Sequence, residues 1–217
     1  MSSNVNLKTQ LMKILLSDAG KRYNREWIFR HFTYEFNHGN AYAITGNNGS
    51  GKSTLLQVIA GAVQHSEGKV DFYKTEKSVS SENHHQYLSI AAPYLELPEE
   101  MTLIEFLSFH QSFKPFLSSL SVQDIIAILN LEKAIDKQIR NYSSGMKQRV
   151  KLAQAILSDV PVVLLDEPCT NLDADGISLY HRLINEYCGD RLVIVSSNDE
   201  EEYNFCNFKI GIGDYKN

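Results

Sequence analysis

Apolar and polar positions change period several times along the chain, and each change marks an element. Residues 11–16, an apolar run interrupted by Lys13, read as a first strand. Phe32, Tyr34 and Phe36 alternate with His31, Thr33 and Glu35, the period-2 pattern of a strand with one buried face. The turn Asn37-His38-Gly39-Asn40 follows, then a short apolar strand, Ala41–Thr45, a glycine-rich loop, and a helix over 53–60 that Gly61 ends. Glu67-Gly68 is a turn into a strand over 69–73. The stretch 74–86 has no apolar period and reads as a surface loop, with His84 and His85 solvated and without a role.

Beyond a strand over 87–91, apolar residues recur at helical spacing through Leu103, Phe106, Leu107 and His110, then through Ile125, Ile126, Leu129 and Leu131. This spacing predicts a small helical lobe over about 95–141, inserted in the core, with Pro115 separating its helices. Asn141-Tyr142-Ser143-Ser144-Gly145 opens another helix that runs to about residue 158. The unbroken β-branched and leucine runs at 162–165 and 192–195 signal strands buried on both faces of a parallel sheet, and a helix over 178–187 connects them. The expected fold is therefore α/β, one domain over 1–217. It has a mainly parallel core sheet, an N-terminal antiparallel β subdomain and a small α-helical subdomain, with ligand at the carboxyl ends of the parallel strands.

Composition narrows the functions open to such a fold. A net charge of -5 argues against a broad electrostatic grip on DNA or RNA, so no nucleic acid partner is expected. Cys169, Cys188 and Cys206 are odd in number and lack CxxC spacing, which suggests free thiols rather than a disulfide framework or a zinc site. The N-terminal apolar run is too short and too interrupted for a secretory signal. No run of about 18 apolar residues occurs, so the chain is expected in the cytoplasm, with any membrane role supplied through another subunit.

The chemistry concentrates in two places. Gly46-Asn47-Asn48-Gly49-Ser50-Gly51-Lys52-Ser53 matches the P-loop spacing, and it lies between a predicted strand and a predicted helix. Glycines let successive N–H groups curl inward, and the helix start adds partial positive charge, which together make a nest for a triphosphate. In this arrangement Lys52 reaches the β- and γ-phosphates, Ser53 supplies a hydroxyl to Mg²⁺, and Thr54 donates to the α-phosphate. The second place is Asp166-Glu167-Pro168, where a buried strand delivers two carboxylates beside the phosphates. Asp166 is placed to hold Mg²⁺ through water, and Glu167 to orient or deprotonate the attacking water.

Tyr142-Ser143-Ser144-Gly145-Met146-Lys147-Gln148-Arg149 is similar to the LSGGQ signature of the ATP-binding cassette (ABC) family, and it precedes the Asp-Glu pair as in that family. The resemblance extends from Tyr23 to Asn198 and implies a P-loop NTPase fold that binds and hydrolyses ATP with Mg²⁺. It implies that Tyr23 stacks on adenine, that Ser143, Ser144 and Gly145 close over the γ-phosphate held by a second subunit's P-loop, and that 170–173 form a loop crossing the dimer contact. Only one nucleotide domain is encoded, so the partner is a second copy or a paralogue.

Two positions depart from the family pattern. Where a glutamine follows a strand, this chain has Pro93. Where a switch histidine follows the last buried strand, it has Asn198, which can hydrogen-bond a phosphate but cannot carry a proton. Slow but measurable turnover is predicted. The resemblance implies an exporter-type transport subunit driving a separate transmembrane permease from the cytoplasmic face. A soluble mechanochemical ATPase and a degenerate subunit that binds ATP with little hydrolysis stand as alternatives.

Overall fold

A computed structural model of the chain describes residues 11–216; residues 1–10 and 217, which the expected domain includes, lie outside them. The long strands β1 (Met12–Tyr23) and β2 (Glu26–Asn37) pair antiparallel, with Leu16 opposite Tyr34 and Ile14 opposite Phe36. With β4 (Glu67–Lys74) and β5 (Lys77–Val79) they form a four-stranded antiparallel sheet in the order β2-β1-β4-β5. The second sheet contains β3 (Ala41–Thr45), β6 (Leu88–Ala91), β7 (Val162–Asp166), β8 (Leu192–Ser196) and β9 (Phe208–Gly211), in the order β6-β7-β8-β3-β9. All its pairings are parallel.

The unbroken apolar runs have their reason in this second sheet, because its two faces feed two separate cores. Ile44, Val162, Leu164, Leu192 and Ile194 point to one side. There they join the inner residues of the antiparallel sheet (Ile14, Leu16, Phe32, Phe36) and Leu55, Leu56 and Ile59 of α1 (Lys52–Ile59). Ala43, Val163, Leu165, Val193 and Val195 point to the other side, against α4 (Ser144–Ile156), α5 (Ala174–Tyr187) and the helical region. Each fully buried Leu, Ile or Val contributes about 1.5–3 kcal/mol of transfer free energy. A polar residue on either side of β7 or β8 would therefore disturb one core or the other.

Between β6 and α4 lie α2 (Leu103–Phe113) and α3 (Val122–Ile128), with Pro115 in the connection. Both helices start with a capping box, Thr102 with Glu105 and Ser121 with Asp124, in which each side chain satisfies the other residue's backbone N–H. No helix among the described residues is long and apolar enough to cross a membrane.

The structure departs from the expectations at several points. The stretch 74–86 is not a bare loop: β5 pairs with β4, and a 3₁₀ turn spans Ser81–Gln86. Here tertiary pairing supplies the order that the polar sequence conceals. His84 is buried rather than solvated, stacked on Phe72 with ring centroids 3.9 Å apart and with Nε2 3.2 Å from the Val79 carbonyl. Helix α5 starts four residues earlier than the apolar pattern indicated, because the Asp173 carboxylate caps it by accepting from the Gly176 N–H at 2.8 Å. Beyond Asn198, the short helix α6 (Glu200–Tyr203) and edge strand β9 had no signal, being four residues each and largely exposed apart from Glu202, Tyr203 and Ile210.

Candidate functional site

Strand β3 ends at Thr45, and the chain then turns through the glycine-rich loop into α1. Gly51 has φ +104, and a Cβ there would lie 2.5 Å from Cγ2 of Ile28 on β2, so both backbone and space demand glycine. Helix α1 has no side-chain N-cap. Its first N–H groups have no partner within the helix and carry the positive end of its dipole, which makes the loop a seat for an anion. A cavity of about 210 Å³ opens here, lined by Ile28, residues 48–54 and Glu167. Lys52 is buried and its Nζ donates to the carbonyls of Gly46 (2.7 Å) and Asn47 (3.4 Å), which holds the ammonium across the loop.

Two carboxylates meet this loop from β7. Asp166 is buried at the strand's last position, and desolvation pushes its pKa up, against the opposing pull of the nearby Ser196 and Ser53 hydroxyls and the Lys52 charge. Its Oδ1 has no hydrogen-bond partner. An acceptor-only oxygen left bare beside a serine hydroxyl fits a hard cation, which takes oxygen ligands and needs only one or two protein groups when phosphates and water complete its shell. Glu167 follows in the left-handed region, with φ 43. A non-glycine residue held there costs about 1–3 kcal/mol and persists only where its surroundings over-determine it. Its N–H donates to the Ser196 carbonyl at 2.9 Å, and the residue lines the cavity wall.

From the end of β8 comes Asn198. Its Oδ1 accepts from the Gly46 N–H at 3.1 Å and its Nδ2 donates to Asn48 Oδ1 at 3.1 Å, so one side chain ties two residues of the loop together. Pro93 offers only its backbone carbonyl, which accepts from Lys151 Nζ at 3.0 Å. The neighbouring Tyr94 hydroxyl lies within range of the Asp166 charge; its pKa is raised, chiefly by burial.

The remaining predicted residues stand apart. Ser143, Ser144 and Gly145 line a different cavity, of about 510 Å³, with Asn130, Lys133 and Arg149. Ser143 caps α4, accepting from the Met146 N–H at 3.2 Å. Tyr23 is half exposed at the β1–β2 hairpin with Lys21 Nζ 4.8 Å from its ring centre, and it is not among the lining residues of the phosphate-loop cavity. Ile28, which is among them, had no sequence signal, since an isoleucine in a strand reads as ordinary packing. Burial pushes the Cys169 and Cys206 thiols up to about 12 and that of Cys188 up to about 11, which disfavours the thiolate at all three. Among the described residues, no three His, Cys, Asp or Glu side chains cluster as a metal cage.

A phosphate-binding loop between a parallel strand and a helix, faced by carboxylates from the neighbouring strand end, defines the class as a P-loop nucleotide-binding protein. Residues 29–170 match the family model described as ABC transporter, and the chain belongs to that family as an ATP-binding subunit. It is 31% identical over 166 residues to the cytochrome c biogenesis ATP-binding export protein CcmA of Xanthomonas oryzae pv. oryzae, covering 76% of each chain. It is also 26% identical to the uncharacterized ABC transporter ATP-binding protein YybJ of Bacillus subtilis, covering 88% of each. Among solved structures, the fold matches the dimeric post-hydrolysis state of the ATP-binding cassette MJ0796 bound to ADP and Pi. That match has a TM-score of 0.77 and 21% identity, and covers 91% of this chain and 93% of that one.

Proposed function

We propose that this subunit hydrolyses ATP to ADP and phosphate, closing on MgATP against a second copy or a paralogous ATPase subunit and so driving a separate membrane-spanning permease from the cytoplasmic face. The observation that carries the hydrolytic reading is Glu167 in the wall of the cavity that Lys52 and the loop N–H groups surround. In this reading the amides of the loop and Lys52 hold the phosphates, Thr54 adds a donor to the α-phosphate, and Glu167 orients or deprotonates the attacking water. Ser53 and Asp166 would hold the magnesium ion, which when bound neutralises charge on the phosphate oxygens. Asn198 contributes a neutral donor to the γ-phosphate in place of a proton-bearing imidazole, which makes turnover slow. Tyr23, on a hairpin whose β2 strand reaches the cavity at Ile28, offers an exposed ring for the adenine.

Dimerisation is supported by the separation of the two cavities. Among the described residues, Ser143, Ser144 and Gly145 form an accessible helix start that lines a cavity separate from that of the phosphate loop. A second chain can supply the missing half of each site. The export direction rests on similarity to the CcmA export proteins. A binding-only subunit is the second reading, favoured by Pro93 and Asn198.

Phosphate release from MgATP by the purified chain decides between them. The active reading expects release that disappears in Glu167→Gln, while that variant still binds ATP and sediments as a dimer at saturating MgATP. Binding without release by the wild-type chain establishes the second reading, and a monomeric Glu167→Gln variant at saturating MgATP overturns the dimer.

A further inference from the structure

The hydrolytic reading asks Glu167 to hold a strained backbone conformation while its carboxylate serves a reaction, and the surrounding hydrogen bonds show what keeps it there. The N–H of Glu167 donates to Ser196 O at 2.9 Å and its own carbonyl accepts from the Thr170 N–H at 3.1 Å. Those two contacts are backbone to backbone and independent of side-chain identity. The next two residues are held differently. Gln148 Nε2 donates to the Pro168 carbonyl at 2.7 Å, and Glu202 Oε1 accepts from the Cys169 N–H at 2.6 Å.

Both side chains are among the few buried polar groups of the protein, with exposures of 3% and 5%. Burying an amide and a carboxylate is costly unless each is paired, and these two are spent on the carbonyl and the N–H of a single peptide group, the one joining Pro168 to Cys169. Gln148 arrives from α4, the helix whose first residues are Ser144 and Gly145, and Glu202 arrives from α6, four residues after Asn198. Glu202 is itself fixed, since its backbone carbonyl accepts from the buried Tyr180 hydroxyl at 2.6 Å.

We propose that Gln148 and Glu202 are positioning residues for hydrolysis, clamping the single Pro168–Cys169 peptide group at its carbonyl and its N–H so that Glu167 keeps its left-handed conformation and its place in the cavity wall. This rests on the reading of Glu167 as the residue that handles the attacking water. Neither side chain lines the phosphate-loop cavity, so they act through the turn. The clamp also joins three parts of the molecule: a shift of α4 or of the segment after β8 pulls directly on the turn beside Glu167.

The test is steady-state ATP hydrolysis by the full chain carrying Gln148→Met or Glu202→Met, which keep the length but remove the donor or acceptor. A misplacement of about 1 Å costs on the order of a hundredfold in rate, so kcat is expected to fall tenfold to a hundredfold while KM and the calorimetric ATP affinity change less than twofold. Glu202→Gln retains the Oε1 acceptor and is expected to stay within threefold of wild type; Glu202→Asp reads the same contact should Glu202→Met fail to fold. A wild-type kcat in both folded methionine variants overturns the clamp, as does a loss of calorimetric ATP affinity as large as the loss of kcat. A wild-type chain that binds ATP without releasing phosphate removes the reaction itself and overturns both readings.

Discussion

In the proposed reading, nucleotide binding turns on Lys52. Its ammonium sits across the loop on the Gly46 and Asn47 carbonyls, already gathered where phosphate oxygens would lie. Hydrogen bonds to charged partners contribute about 1.5–3 kcal/mol each, so Lys52→Ala is expected to weaken ATP binding by roughly tenfold to a hundredfold in a calorimeter. Asn198 presents the complementary case. Its amide bridges Gly46 and Asn48, a bond pattern that stiffens the loop but offers no proton and no charge to a departing phosphate. Asn198→His is expected to raise kcat by about tenfold or more, since one missing electrostatic stabiliser costs on the order of 10² to 10³ in rate. An unchanged single-turnover rate for that variant refutes the argument.

Among the elements, the β1–β4 pairing is the one most exposed to a single substitution. Gly68, with φ +76, lies where the register of β1 shifts between Ser17 and Gly20, and a Cβ there would sit 2.2 Å from the Asp18 carbonyl oxygen. Backbone has nowhere to yield, because β1 is held on its other edge by β2. Gly68→Ala combines a strained backbone with a steric clash and is expected to destabilise the chain by about 2 kcal/mol or more, read as a lower urea midpoint at constant m-value. Helix α4 carries several tasks in one element. Its start lines the larger cavity, Gln148 grips the turn after Glu167, and Val150, Leu152, Ala153 and Ile156 fill the core.

For the whole molecule, part of the loss of stability in acid follows from its half-buried and buried imidazoles. His110 Nε2 lies 2.9 Å from Ser158 Oγ, and desolvation, helped by the Lys114 charge, lowers its pKa from the ordinary 6.5 to about 4. His84 and His38 are shifted in the same direction by burial. A folded-state pKa below the unfolded value means that the unfolded chain takes up protons first as pH falls. The stability contributed by the neutral His110 is complete above about 6.5 and is lost progressively as pH drops towards about 4. Urea unfolding as a function of pH is expected to show this decline, and His110→Gln to flatten it over that window. On the same scale, the signature residues and the phosphate loop line separate cavities, and the proposed dimer would bring the two together, so the sedimentation of Glu167→Gln with MgATP tests the molecule as an assembly.

Local physics made part of this protein legible without coordinates. The loop 46–53 carries its meaning in spacing, because glycine at fixed positions and a lysine before a helix state a backbone geometry directly. The runs at 162–165 and 192–195 announced strands buried on both faces, and those strands do divide their side chains between two cores. Other features depend on groups far apart in sequence and had no local pattern to betray them. Ile28 behind Gly51, His84 on Phe72, and Gln148 and Glu202 on the turn after Glu167 are all of this kind. Periodicity and turn chemistry report what a residue does with its neighbours along the chain; which distant donor meets which carbonyl is decided only when the sheets and helices pack.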